Sequence, residues 1–134
     1  MSKVAQRTGP LDDRNFGTTG TTLTPAPAAT RISLRAREDG LAAAKKVLGF
    51  VLPVKPKSSA TKGSIHCLWI GPDEWLVIDS DGSGLPEKFA KEGNTKLSAV
   101  DISHRNTAIL LEGAKAVDVL NSGCPQDLSS ASFP

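Results

Sequence analysis

Residues 97–128, LSAVDISHRNTAILLEGAKAVDVLNSGCPQDL, constrain the fold of this 134-residue chain more than any other stretch. Val100 and Ile102 alternate with Asp101 and lead into the polar sequence Ser103-His104-Arg105-Asn106. A second apolar run follows from Thr107 to Leu111, and Gly113 then opens a helical pattern that Gly123 closes. Two short apolar runs around a polar turn, followed by apolar positions at helical spacing, predict a β-hairpin and then a helix.

The same order of elements precedes it. Ile65, Cys67 and Trp69 point one way along Ser64–Ile70, and His66, Leu68 and Ile70 the other. Gly71-Pro72-Asp73 suits a type I turn into the run Trp75–Ile78, which predicts two antiparallel strands with apolar residues on both faces, a well-covered central hairpin. Leu85, Phe89 and Ala90 then form the apolar side of a helix that starts near Pro86 and stops at Gly93. Upstream, Ile32, Leu34 and Ala36 alternate with Arg31, Ser33, Arg35 and Arg37, which predicts a strand with one core face and one basic face. Asp39 offers an N-cap, Leu41, Ala44 and Leu48 fall at helical spacing, and Gly49 supplies the stop. Pro53–Lys62 reads as a loop.

Strand, helix, hairpin, helix, hairpin, helix is an α+β plan: an antiparallel sheet with helices segregated to one face. Residues 31–134 are expected to form a single domain of that kind. Residues 1–30 are rich in Gly, Thr, Pro and Ala, with only isolated apolar side chains, so they are expected to be a flexible N-terminal tail. Part of Gly17–Thr30 is a candidate to lie extended on a partner.

Charge is uneven although the net value is only +2. Residues 31–62 carry eight Lys or Arg against Glu38 and Asp39, whereas residues 63–134 carry five against ten acids. Such asymmetry fits internal pairing, solvated faces or oppositely charged partners. With no Tyr and few other aromatics, the chain lacks the stacking platform of a single-stranded nucleic-acid binder. The basic face Arg31, Arg35, Arg37 is a weak signal for phosphate or nucleic acid and serves an acidic protein equally well. Cys67 and Cys124 form no CxxC pair and read as two buried thiols in a reducing compartment. With no signal-like apolar region at the start and no run long enough to span a bilayer, the cytoplasm is the expected location.

Chemistry-bearing residues are sparse in pattern. Asp101, Ser103 and His104 suggest a hydrolytic triad, but strand geometry separates His104 from the other two, and no nucleophile elbow surrounds them. Turn chemistry is the better account: Ser103 and Asn106 bond the loop backbone, and His104 and Arg105 are exposed. His66, Cys67, His104 and Cys124 match no zinc-site spacing, and neither a dinucleotide fingerprint nor a phosphate loop occurs. No catalytic, cofactor-binding or metal-binding residue is therefore assigned. Trp69 and Trp75 flank the Gly-Pro-Asp-Glu turn as core or interface anchors. With His104 and Arg105 they make the candidate subunit interface.

Two segments carry a resemblance: LWIGPDEWLVI (Leu68–Ile78) and SAVDISHRNTAILLEGAKAVDVLNSGCPQDL (Ser98–Leu128), closing with Ala131-Ser132-Phe133-Pro134. Over residues 31–134 the chain resembles the γ subunit of heterotetrameric sarcosine oxidase. The second segment is also distantly similar to the folate-binding aminomethyltransferase family that includes the glycine-cleavage T protein. That likeness implies a split α+β folate-binding-domain fold, with no folate residue to carry over. The resemblance further implies an accessory subunit without a cofactor of its own. Its alpha, beta and delta partners would hold FAD, FMN, NAD, tetrahydrofolate and zinc, while the whole complex converts sarcosine to glycine, hydrogen peroxide and methylene-tetrahydrofolate. The family continues for several strands and a helix past the Phe-Pro position, which implies a strand edge and apolar face in need of cover. A rival reading is a free-standing folate or one-carbon-binding module.

Overall fold

The computed structural model describes residues 9–129, 131 and 132. In chain order the elements are β1 (Phe16–Thr18), β2 (Thr21–Pro25), β3 (Thr30–Ala36), α1 (Asp39–Leu48), β4 (Ser59–Lys62), β5 (Ile65–Gly71), β6 (Glu74–Asp79), α2 (Leu85–Glu92), β7 (Leu97–Asp101), β8 (Ile109–Glu112) and α3 (Ala116–Asn121). They divide into two compact units, one of Ala28–Asn106 and one of Met1–Pro27 with Thr107–Pro134. The plan is mixed α+β with two antiparallel sheets.

The Ala28–Asn106 unit contains a five-stranded sheet in the order β4-β5-β6-β3-β7, antiparallel throughout. β3 pairs on both sides, with Leu34 opposite Trp75 of β6 and Ala99 of β7. Its predicted alternation holds: Ile32, Leu34 and Ala36 are buried, and Ser33 and Arg35 are exposed. Both helices cover the same sheet face, because Ala44 and Leu48 of α1 and Leu85 and Phe89 of α2 share one core with Ile32, Leu34, Cys67, Trp75 and Val77. Each fully buried Leu, Ile or Phe side chain in such a core is worth about 1.5–3 kcal/mol.

Local chemistry sets the ends of the helices. Gly49 closes α1 at φ 79°, with its N–H on the Lys45 carbonyl, and Gly93 closes α2 at φ 64°. The expected Asp39 cap is different: Asp39 is the first helical residue and accepts a hydrogen bond from Asn94 Nδ2 (3.2 Å), while Glu38 holds the cap position without a side-chain cap bond. Asp73 has φ 61°, a left-handed value that fits a type II turn after Pro72 rather than the expected type I.

Three further expectations change. Val100–Leu111 is not a hairpin: β7 pairs with β3, and β8 pairs with β2 in a separate three-stranded sheet ordered β1-β2-β8. Alternation specifies an extended chain and a buried face but not a partner, and β3 offers β7 a longer matched edge than β8 does. Second, the segment expected to be a flexible tail contains β1 and β2, with Leu23 opposite Leu111. Its Thr content suits a strand once an edge is present. Residues 1–8 of that expected tail, and Phe133 and Pro134 at the close of the resemblance, lie outside the described residues. Third, Ser59–Lys62, expected in a loop, is β4 on the β5 edge.

Gly40 marks the tightest approach in the Ala28–Asn106 unit: a Cβ there would lie 2.4 Å from the Lys96 carbonyl oxygen. Backbone cannot yield as a side-chain tip can, so Gly40→Ala is expected to destabilise this unit by about 1–3 kcal/mol. Urea unfolding followed by Trp fluorescence measures it, and an unchanged midpoint would contradict the packing described.

Candidate functional site

Asp101 and Ser103 do come together, in a turn rather than a reacting pair. The Asp101 Oδ1 accepts hydrogen bonds from Ser103 N (2.8 Å) and Ser103 Oγ (2.5 Å). Ser103 Oγ in turn accepts from the Arg31 N–H (2.9 Å). The hydroxyl is thus committed to both roles, and Ser103 is buried. His104 sits exposed at the tip of the turn. No triad forms from these residues.

Arg31, expected on an exposed basic face, is buried at 7% exposure. Its Nη1 lies within reach of the carbonyls of Ala29 (3.5 Å) and Asn106 (3.4 Å). The other two arginines of that face are paired: Arg35 with Glu74, and Arg37 Nε with Asp73 Oδ2 at 2.8 Å. One buried cation and two compensated ones leave no continuous basic stripe for a phosphate backbone. Such exposed pairs contribute little to stability.

The tryptophans separate. Trp75 is 3% exposed in the core, and its indole N–H donates to the Pro53 carbonyl (2.6 Å). It is unavailable as an interface anchor in this fold, and the hydrogen bond is what allows a polar-tipped side chain so deep. Trp69 is half-buried at the edge of the same core. His104 and Arg105 are exposed. Of the expected interface set, His104 and Arg105 are exposed, Trp69 is half-buried and Trp75 is buried.

Residues that sequence reasoning passed over lie on the second face of the five-stranded sheet. The β5–β6 hairpin was expected to be covered on both sides, yet Leu68 is 37% and Ile70 57% exposed, and Val100 on β7 is 54% exposed. The apolar letters were visible in the sequence. Helices on one sheet face were expected from the order of elements, but the open second face that this leaves at the β5–β6 hairpin was not.

His66, Cys67, His104 and Cys124 do not assemble. His66 Nδ1 meets Thr61 Oγ1 at 3.1 Å, and among the described residues no group of three or more His, Cys, Asp or Glu side chains can hold a metal ion. Of the two cysteines expected to be buried, Cys67 is wholly so, and burial pushes its thiol up to about 12, whereas Cys124 is only part-buried. Asp79 is also buried. Burial alone would raise its pKa, but hydrogen bonds from Ser83 N (2.6 Å), Ser64 Oγ (2.9 Å) and Asp81 N (3.2 Å) outweigh that and hold it below the usual carboxylate range. It ties the loop after β6 to the residue before β5. Cavities in the Ala28–Asn106 unit are open and mixed in lining; one of about 360 Å³ lies among Arg35, Arg37, Asp73, Glu74, Lys96 and Ser98. Among the described residues, no helix is long and apolar enough to cross a membrane.

With this geometry established, known proteins supply a comparison. No family model matches the chain. It is 37% identical over 110 residues to sarcosine oxidase subunit gamma of Arthrobacter sp., covering 78% of this chain and 54% of that protein. The subunit gamma of Corynebacterium sp. strain P-1 is 33% identical over 111 residues, covering 78% of this chain and 54% of that protein. Among solved structures, a chain of the heterotetrameric sarcosine oxidase from Corynebacterium sp. U-96, in complex with pyrrole 2-carboxylate, superposes with a TM-score of 0.79 at 30% identity, over 89% of this chain and 63% of that one. Over the matched stretch the chain is a homologue of sarcosine oxidase γ subunits. It spans about half the length of the curated γ subunits it matches. The resemblance carried by the Gly-Pro-Asp-Glu-Trp turn and the Val-Asp-Ile-Ser stretch thus extends to overall sequence and to fold.

Two measurements follow from the buried groups. With Ellman's reagent, Cys124 is expected to react in the folded chain and Cys67 only on unfolding, because a buried protonated thiol is a poor nucleophile; rapid reaction of both would contradict the burial of Cys67. Asp79 contributes stability above its unfolded pKa that is lost as pH falls through its lower folded value. Asp79→Asn should therefore lower stability at pH 7 and flatten the decline below about pH 4, read from urea midpoints across pH. An equal loss at pH 7 and at pH 2 would count against the charged clasp.

Proposed function

We propose that this chain is an accessory, noncatalytic γ-type subunit of a cytoplasmic sarcosine oxidase complex. In this reading the alpha, beta and delta subunits hold the flavins, NAD, folate and zinc, and the whole complex carries out the oxidative demethylation. The observation that carries it is the structural likeness over 89% of the chain to a heterotetrameric sarcosine oxidase chain. The commitment of Asp101, Ser103 and Arg31 to structural hydrogen bonds supports a surface role over a chemical one. Trp69, His104 and Arg105, with the open face at Leu68, Ile70 and Val100, are the proposed contact region. The finer fold we propose is the split folate-binding type, with the five-stranded sheet and its two helices as one half.

Co-expression of the tagged chain with the larger subunits of a sarcosine oxidase tests the proposal. Flavin-bearing subunits are expected to co-purify in fixed ratio, with sarcosine-dependent peroxide formation in the eluate. Recovery of the chain as a lone monomer would overturn it.

A further inference from the structure

The turn that follows β7 is held from both sides although its tip is in solvent. Before the tip, Ile102 N donates to the Arg31 carbonyl (2.8 Å), and Ser103 is fixed by Asp101 and by the Arg31 N–H. Across the tip, Arg105 N donates to the Ile102 carbonyl (2.9 Å), and beyond it the buried Arg31 guanidinium reaches the Asn106 carbonyl. One residue of β3 therefore anchors both flanks. Between those anchors His104 and Arg105 are presented to solvent.

Arg105 differs from the other arginines of its unit. Arg35 and Arg37 have carboxylate partners, and Arg31 is buried on carbonyls. Among the described residues, no hydrogen bond or ion pair engages the Arg105 side chain. A guanidinium is a planar fork that fits a carboxylate with two parallel hydrogen bonds. Held on a rigid turn, it loses less freedom on association than it would on a loose loop.

We propose that the Ile102–Asn106 turn is a preformed docking point for a carboxylate-bearing surface of another protein subunit, with Arg105 as the charge that engages it. This rests on the accessory-subunit reading. A protein carboxylate is favoured over a nucleic-acid backbone because, among the described residues, the turn offers a single unpaired arginine, whereas a polyanion is held by several cations along its track.

The test is the dissociation constant of the full chain with the larger subunits over a range of salt, for wild type, Arg105→Ala, Arg105→Glu, Ser103→Ala and, as a control, Arg35→Ala. Arg105→Ala is expected to weaken binding roughly tenfold and Arg105→Glu roughly a hundredfold, both with a shallower salt dependence. Ser103→Ala keeps every charge and should weaken binding several-fold with the wild-type salt dependence; if it fails to fold, the two Arg105 variants decide alone. Arg105→Glu binding as tightly as wild type, or Arg105→Ala losing no more than Arg35→Ala, would overturn the inference while leaving the accessory reading intact. Wild type that does not bind at all would overturn both, and retention on immobilised nucleic acid that depends on Arg105 would overturn the choice of a protein carboxylate.

Discussion

Everything in the Ala28–Asn106 unit depends on the burial of one face of β3. Ile32, Leu34 and Ala36 are at most 1% exposed, and β3 is the strand that joins the β4-β5-β6 ribbon to β7. Removing its apolar alternation would take away both the ladder partners and the floor on which α1 and α2 rest. The close approach of Gly40 to the Lys96 carbonyl follows from that arrangement, since α1 starts against the residue that leads into β7.

The second face of the same strand decides what the unit is suited to do. A row of arginines in sequence suggests a polyanion site, but Arg31 turns inward, and Arg35 and Arg37 meet acids on the β5–β6 turn and the start of β6. The charge that could have steered a ligand is used to hold three loops in place. What the unit offers outward is apolar sheet surface at Leu68, Ile70 and Val100, and the fixed turn carrying His104 and Arg105. Such features support the proposed contact with other proteins.

Much of this unit was legible in the sequence because its elements are local. Period-two alternation gave β3 and the β5–β6 hairpin, and a 3.6-residue spacing ended by Gly49 or Gly93 gave α1 and α2. Pairing was less legible. β7 and β8 are adjacent in sequence and both strand-like, yet they join different sheets, a choice made by remote edges on β3 and β2. β1 and β2 were hidden by a Gly- and Thr-rich composition that resembles a tail until β8 supplies an edge. The exposure of the candidate residues was half legible. Exposure of His104 and Arg105 follows from turn chemistry, whereas the burial of Trp75 depends on the Pro53 carbonyl reaching its indole N–H, a contact 22 residues away in sequence. The burial of Arg31 likewise depends on carbonyls that only the folded chain brings together.

The central proposal is that this chain acts through contact surface rather than through a reacting or ligand-holding group of its own. Calorimetric titration of the purified chain with sarcosine and with a reduced folate tests it most directly. The account predicts heats indistinguishable from dilution for both compounds. Saturable one-to-one binding of either would contradict it and favour a free-standing one-carbon-binding module.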